Sequence, residues 1–232
     1  MVGILTELCI SWLILWLVER KNLSILGLTP TGARVTQLLT GFAMSAACCA
    51  IFNASTVAFV NNNWIYNKQI TTPSVMHSTW WVLKSVLFEE LIFRGALLYI
   101  AIKRMGIAKA CYLSAVCFGI YHWFSQNAFG NTVQMIFIFI ITAVAGLMFA
   151  FSYAKTNSLY LPIGLHLGWN FINIVIFSNG PLGNQLLTRL TDVHPQGSLS
   201  ILIFLFQVLA LPLLTWWMLG RIKSDTSVAA PK

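Results

Sequence analysis

Residues 132–153 read TVQMIFIFIITAVAGLMFAFSY, 22 positions without one charged side chain. A bilayer core about 30 Å thick takes roughly 20 helical residues to cross, so this run is long enough to span a membrane. Working outward, similar stretches flank it at 107–126 and 159–179, and further ones lie at 79–102, 38–60, 2–18 and 198–219. Of the 232 residues 58% are hydrophobic and 9% charged, against about 25% charged in soluble domains. A chain with so little polar surface belongs in lipid. The expected fold is an all-α, polytopic transmembrane helical bundle of about seven spans, with residues 1–232 forming one integral membrane domain.

The net charge of +8 does not point to nucleic acid, because the Lys and Arg residues mostly sit in short loops, with no basic stripe or binding motif. They report orientation instead. Arg20, Lys21, Arg34, Lys103, Arg104, Lys109, Lys155, Arg221, Lys223 and Lys232 fall in the odd connections and the tail. The even connections hold Lys68 and Arg189. The positive-inside rule then puts the amino terminus outside and the carboxyl terminus in the cytoplasm. Five cysteines without C-x-x-C spacing read as small apolar residues rather than a disulfide scaffold or metal site. The first stretch contains Glu7 and lacks a basic n-region or an A-x-A site, so it reads as a retained span. Leu28-Thr29-Pro30-Thr31-Gly32 and Gly180-Pro181-Leu182-Gly183 read as loops.

Six carboxylates are present in the chain, and two of them, Glu89 and Glu90, are adjacent in the third span. A charge at that depth costs about 2.5–3.5 kcal/mol on insertion scales, so the pair needs partners. Arg94 follows Glu90 by four residues, the favourable order for a helical ion pair. Glu89 lies about 100° round the helix from Glu90 and about 140° from Arg94. It is left free to face another neighbour and to serve as a general base. His122, near the end of the fourth span, reaches the glutamates if spans three and four pair antiparallel. His166 and Asn170 in the sixth span share a helical face. Taken singly, each has a bland structural reading. Gly164 and Gly168 form a G-x-x-x-G spacing that permits close helix approach; alone it implies only packing.

Phe88-Glu89-Glu90-Leu91-Ile92-Phe93-Arg94-Gly95 resembles the E-E-x-x-x-R motif of the CAAX-protease and bacteriocin-processing family of intramembrane peptidases. Phe118 to His122 is similar to its F-x-x-x-H motif, and His166 to Asn170 to its H-x-x-x-N motif. Asn157 to Ile163 also resembles the family's lead-in to the third motif. The order and spacing agree across a core of about residues 80–175. Members often have eight spans. The resemblance implies a glutamate-dependent endopeptidase in which Glu89 and His122 hold and activate water. It further implies that His166 and Asn170 stabilise the oxyanion, and that Glu90 with Arg94 keeps the site in shape.

No cofactor is expected on this reading. Zinc is the alternative, since two histidines and two glutamates could ligate it, although the H-E-x-x-H pattern of helical zinc peptidases is absent. The implied partners are a peptide or protein substrate, membrane-anchored or lipidated in some family members, and the lipid bilayer, here a bacterial plasma membrane. Two rival classes are a proton-coupled transporter, which would show inverted repeats or broken helices, and a non-catalytic bacteriocin-immunity or scaffold protein.

Overall fold

The computed structural model describes residues 2–177, 182, 185–191 and 193–222. Eight α-helices occur among them: α1 (Val2–Glu19), α2 (Gly32–Ala58), α3 (Thr72–Arg94), α4 (Ala96–Met105), α5 (Ile107–Ser125), α6 (Thr132–Thr156), α7 (Tyr160–Asn170) and α8 (Gly197–Arg221). A π-helical extension, Phe171–Phe177, continues α7. Five helical segments are long and apolar enough to cross a membrane: Val2–Glu19, Gly32–Ala58, Thr132–Thr156, Tyr160–Phe177 and Gly197–Arg221. With α3–α4 and α5 they form a helical bundle, and the chain is an integral membrane protein.

The third rod departs from the single span expected at 79–102. It starts earlier because Thr71 caps it, its hydroxyl accepting from the Ser74 amide while the Ser74 hydroxyl accepts from the Thr71 amide, a capping box. It breaks at Gly95, directly after Arg94. A Cβ on Gly95 would lie 2.2 Å from the Leu91 carbonyl oxygen, so this break is open only to glycine. The helix restarts as α4 and turns again at Gly106, whose φ of +83° is one that glycine adopts without steric cost.

The G-x-x-x-G spacing in α7 packs against α2. A Cβ on Gly164 would lie 2.3 Å from the Leu38 carbonyl oxygen, and one on Gly168 2.3 Å from that of Phe42. The Ser45 hydroxyl of α2 donates to the Leu165 carbonyl at 2.5 Å. Close approach on this side of α7 leaves His166 to face α3. Helices α5 and α6 pack side by side, and Asn131, whose side chain accepts from the Gln134 amide, caps the start of α6.

Two short strands, β1 (Trp64–Tyr66) and β2 (Leu187–Arg189), pair antiparallel with Trp64 opposite Arg189 and Tyr66 opposite Leu187. Three-residue strands are too short to show the alternation by which a strand is read from sequence. This ladder brings the second and sixth connections to one end of the bundle. At the other end, Glu19 of α1 pairs with Lys103 and with Arg104 at 3.7 Å. Of the loop expected at 180–183, Gly180, Pro181 and Gly183 lie outside the described residues and Leu182 is in a turn.

Candidate functional site

Helix α3 carries three of the charged side chains, and the 3.6-residue period divides them. Glu90 and Arg94 share the inward face and are fully buried, at 0% exposure each. The Arg94 Nη1 donates to Glu90 Oε1 at 3.2 Å, the i,i+4 ion pair expected from the sequence. Its Nη2 donates to the Gly146 carbonyl of α6 at 3.2 Å. The guanidinium carbon lies 4.2 Å from the centre of the Phe118 ring and 5.0 Å from that of Phe149. Cation–π contact is strongest where water is excluded, and it compensates part of the cost of burying this charge.

His166 of α7 is 6% exposed and stacks on Phe149, with ring centroids 4.9 Å apart and planes 20° apart. Its Nδ1 lies 2.8 Å from Glu90 Oε1. Glu90 therefore receives both Arg94 and His166 on one oxygen. With Nδ1 carrying the proton toward that carboxylate, the neutral ring keeps its lone pair on Nε2, and this atom lies 3.7 Å from Glu89 Oε2.

Glu89 is 8% exposed and faces the other way. Its Oε2 makes no hydrogen bond to protein and lies 3.8 Å from Nε2 of His122 on α5. The His122 Nδ1 is engaged by the Phe118 carbonyl at 2.8 Å, so this ring too presents a lone pair on Nε2. Two fixed imidazoles thus aim Nε2 atoms at one carboxylate oxygen. Phe118, the first residue of the second motif, serves twice: its ring covers Arg94 and its carbonyl sets the tautomer of His122.

Asn170 is partly buried at the last position of α7, one turn beyond His166 on the same face. None of the hydrogen bonds among the described residues joins its side chain to the other five residues. The π-helical turn begins directly after it; such turns frequently mark functional sites in helices. Among the described residues, no group of three or more His, Cys, Asp or Glu side chains is gathered so as to hold a metal ion.

Three contributors were not anticipated from the sequence. Ser85 donates to Glu89 Oε1 at 3.2 Å. Gly146 offers its carbonyl to Arg94 and makes room for Phe118, since a Cβ there would lie 2.9 Å from that ring. Phe149 sits between Arg94 and His166. A serine four residues before Glu89 was the one available signal, because that spacing places it on the same helical face.

Residues 73–172 match the family described as Rce1-like, Type II CAAX prenyl endopeptidase Rce1-like. The matched stretch contains all three motifs and agrees with the resemblance read from them. Neither the curated proteins nor the solved structures yield a match to the chain.

Proposed function

We propose, from the membership of residues 73–172 in the CAAX-protease family, that the chain is an intramembrane endopeptidase that hydrolyses a peptide bond with water activated by Glu89 and His122. The observation that carries this reading is the Glu89 Oε2 atom, without a protein partner and 3.7–3.8 Å from two histidine Nε2 atoms. A water at that gap donates one hydrogen to Glu89 and the other to His122, leaving an oxygen lone pair for a substrate carbonyl. As the new C–O bond forms, Glu89 takes the water proton as general base. It then passes that proton to the leaving amine as the C–N bond breaks.

The negative charge on the carbonyl oxygen needs donors. His166 serves when its ring holds both protons, giving Nδ1–H to Glu90 and Nε2–H to the oxyanion. Asn170, with a side-chain NH₂, is the second donor. Glu90 and Arg94 fix the orientation of His166 and do not meet the reacting atoms. The family description supports a prenylated CAAX-type protein or peptide as substrate, and the distribution of Lys and Arg supports an amino terminus outside and a cytoplasmic carboxyl terminus.

A zinc-dependent mechanism is the second reading, and one observation favours it. Glu89, His122 and His166 would be the ligands only after moving from the positions seen here, which do not gather them so as to hold a metal ion. Both histidines nevertheless have Nδ1 anchored on a carbonyl or carboxylate, the outer-shell pattern that orients zinc-binding imidazoles. Zinc would supply Lewis acidity and a more acidic bound water. The metal-free reading is preferred because these donors are not gathered around one point as zinc ligands are, and Glu90, the one further carboxylate at the site, is engaged by Arg94 and His166.

The test uses purified protein in lipid nanodiscs, offered farnesylated peptides ending in CAAX-type sequences, with products read by mass spectrometry and metal counted in the same sample. Cleavage that persists in chelator, with no stoichiometric zinc, is the expected outcome. One zinc per chain, with activity lost on chelation and restored by zinc, would establish the second reading. A chain that cleaves none of the peptides with or without zinc would count against a CAAX-type substrate.

A further inference from the structure

Hydroxyl side chains inside helices often donate back to the carbonyl four residues earlier, and several in this bundle do. Thr6 donates to Val2, Thr36 to Gly32, Thr142 to Ile138 and Ser152 to Met148. Ser45 and Ser114 donate to carbonyls of other helices, whereas Ser85 donates to a carboxylate. Its single hydroxyl proton goes forward along α3 to Glu89 Oε1 at 3.2 Å. The same side chain lines a groove of about 280 Å³ between α1 and α3, together with Gly3, Ile4, Trp81, Lys84 and Phe88.

We infer that Ser85 is a positioning residue for Glu89. Its proton engages Oε1 and so fixes which carboxylate oxygen, Oε2, faces the two histidines. A carboxylate on two rotatable bonds beyond Cβ would otherwise exchange its oxygens and sample the groove. Removing a directional hydrogen bond to a charged group then costs rate through misplacement of the base, while substrate contacts made elsewhere are retained. The inference rests on the peptidase reading for its kinetic consequence and on geometry alone for the hydrogen bond.

The experiment compares wild type, Ser85→Ala, Ser85→Thr and Glu89→Gln in lipid nanodiscs. The infrared carboxylate stretch of Glu89 is identified as the band lost in Glu89→Gln. This band should shift in Ser85→Ala and return to its wild-type position in Ser85→Thr, which restores the hydroxyl. On the farnesylated CAAX-type peptides, Ser85→Ala should lower kcat on the order of 10-fold, as expected for one charge-assisted hydrogen bond, with KM unchanged, and Ser85→Thr should recover the rate. A Glu89 band insensitive to Ser85→Ala, or a wild-type kcat in that variant, would overturn the inference. If wild type cleaves nothing yet the band shifts as expected, the peptidase reading fails and the hold of Ser85 on Glu89 stands.

Discussion

Glu90 lies in a closed half of the site, where Arg94 and His166 both donate to it and Phe118 and Phe149 wall off its partners. Glu89, one residue earlier, lies in an open half, held by Ser85 on one oxygen and left without a protein partner on the other. Two identical side chains in adjacent positions have thus been given opposite surroundings by a 100° step of the helix. Each of the two carboxylates has one hydrogen-bonded oxygen and one without a protein partner. It is Glu90, however, that has a full counter-charge, in Arg94, and a buried charge paired in that way serves the fold. Glu89 has no such cation beside it among the described residues, and on the proposed peptidase reading water and a substrate carbonyl complete its surroundings.

The largest expected effect on the closed half comes from Glu90→Gln. This change leaves Arg94 at 0% exposure without a counter-charge, and breaking a buried pair in this way costs about 3–5 kcal/mol. Thermal unfolding in detergent should register it as a pronounced drop in midpoint. An unchanged midpoint would erase the distinction between the two halves, since Glu90 would then not be structural.

A smaller effect on the same half is expected from Gly146→Ala. The added methyl would sit 2.9 Å from Phe118 and 3.3 Å from Arg94 Nη2, and overpacking of this kind costs roughly 1–3 kcal/mol. Unfolding of the variant, measured alongside Gly220→Ala, where an added Cβ meets nothing within 4 Å, separates crowding at Arg94 from a general effect of alanine. Equal midpoints for the two variants would mean that α6 has slack at this contact.

The charged and imidazole side chains of the site were legible in the sequence because each is costly in an apolar helix and so stands out against its neighbours. The i,i+4 pairing of Glu90 with Arg94 followed from helical spacing alone. His166 was anticipated as an oxyanion donor, and its bond to Glu90 through Nδ1 was not, since it depends on how α7 is rotated against α3. Ser85 and Gly146 went unread for a related reason. Small and hydroxylated residues are common in membrane helices, and only the assembled bundle shows which of them meets a charge. The break at Gly95, the π turn after Asn170 and the three-residue strands likewise depend on contacts across the bundle rather than on any local period.

The measurement that bears most directly on the division between the two glutamates is turnover and thermal unfolding of Glu89→Gln, taken on one nanodisc preparation beside wild type with the farnesylated CAAX-type peptides. Removing a general base lowers rates by about 10²–10⁴-fold, so cleavage should fall by that factor while the unfolding midpoint stays near the wild-type value, because the Glu90–Arg94 ion pair is not touched. Cleavage at the wild-type rate in Glu89→Gln, or a loss of activity accompanied by the same destabilisation as Glu90→Gln, would contradict the assignment of Glu89 as the base.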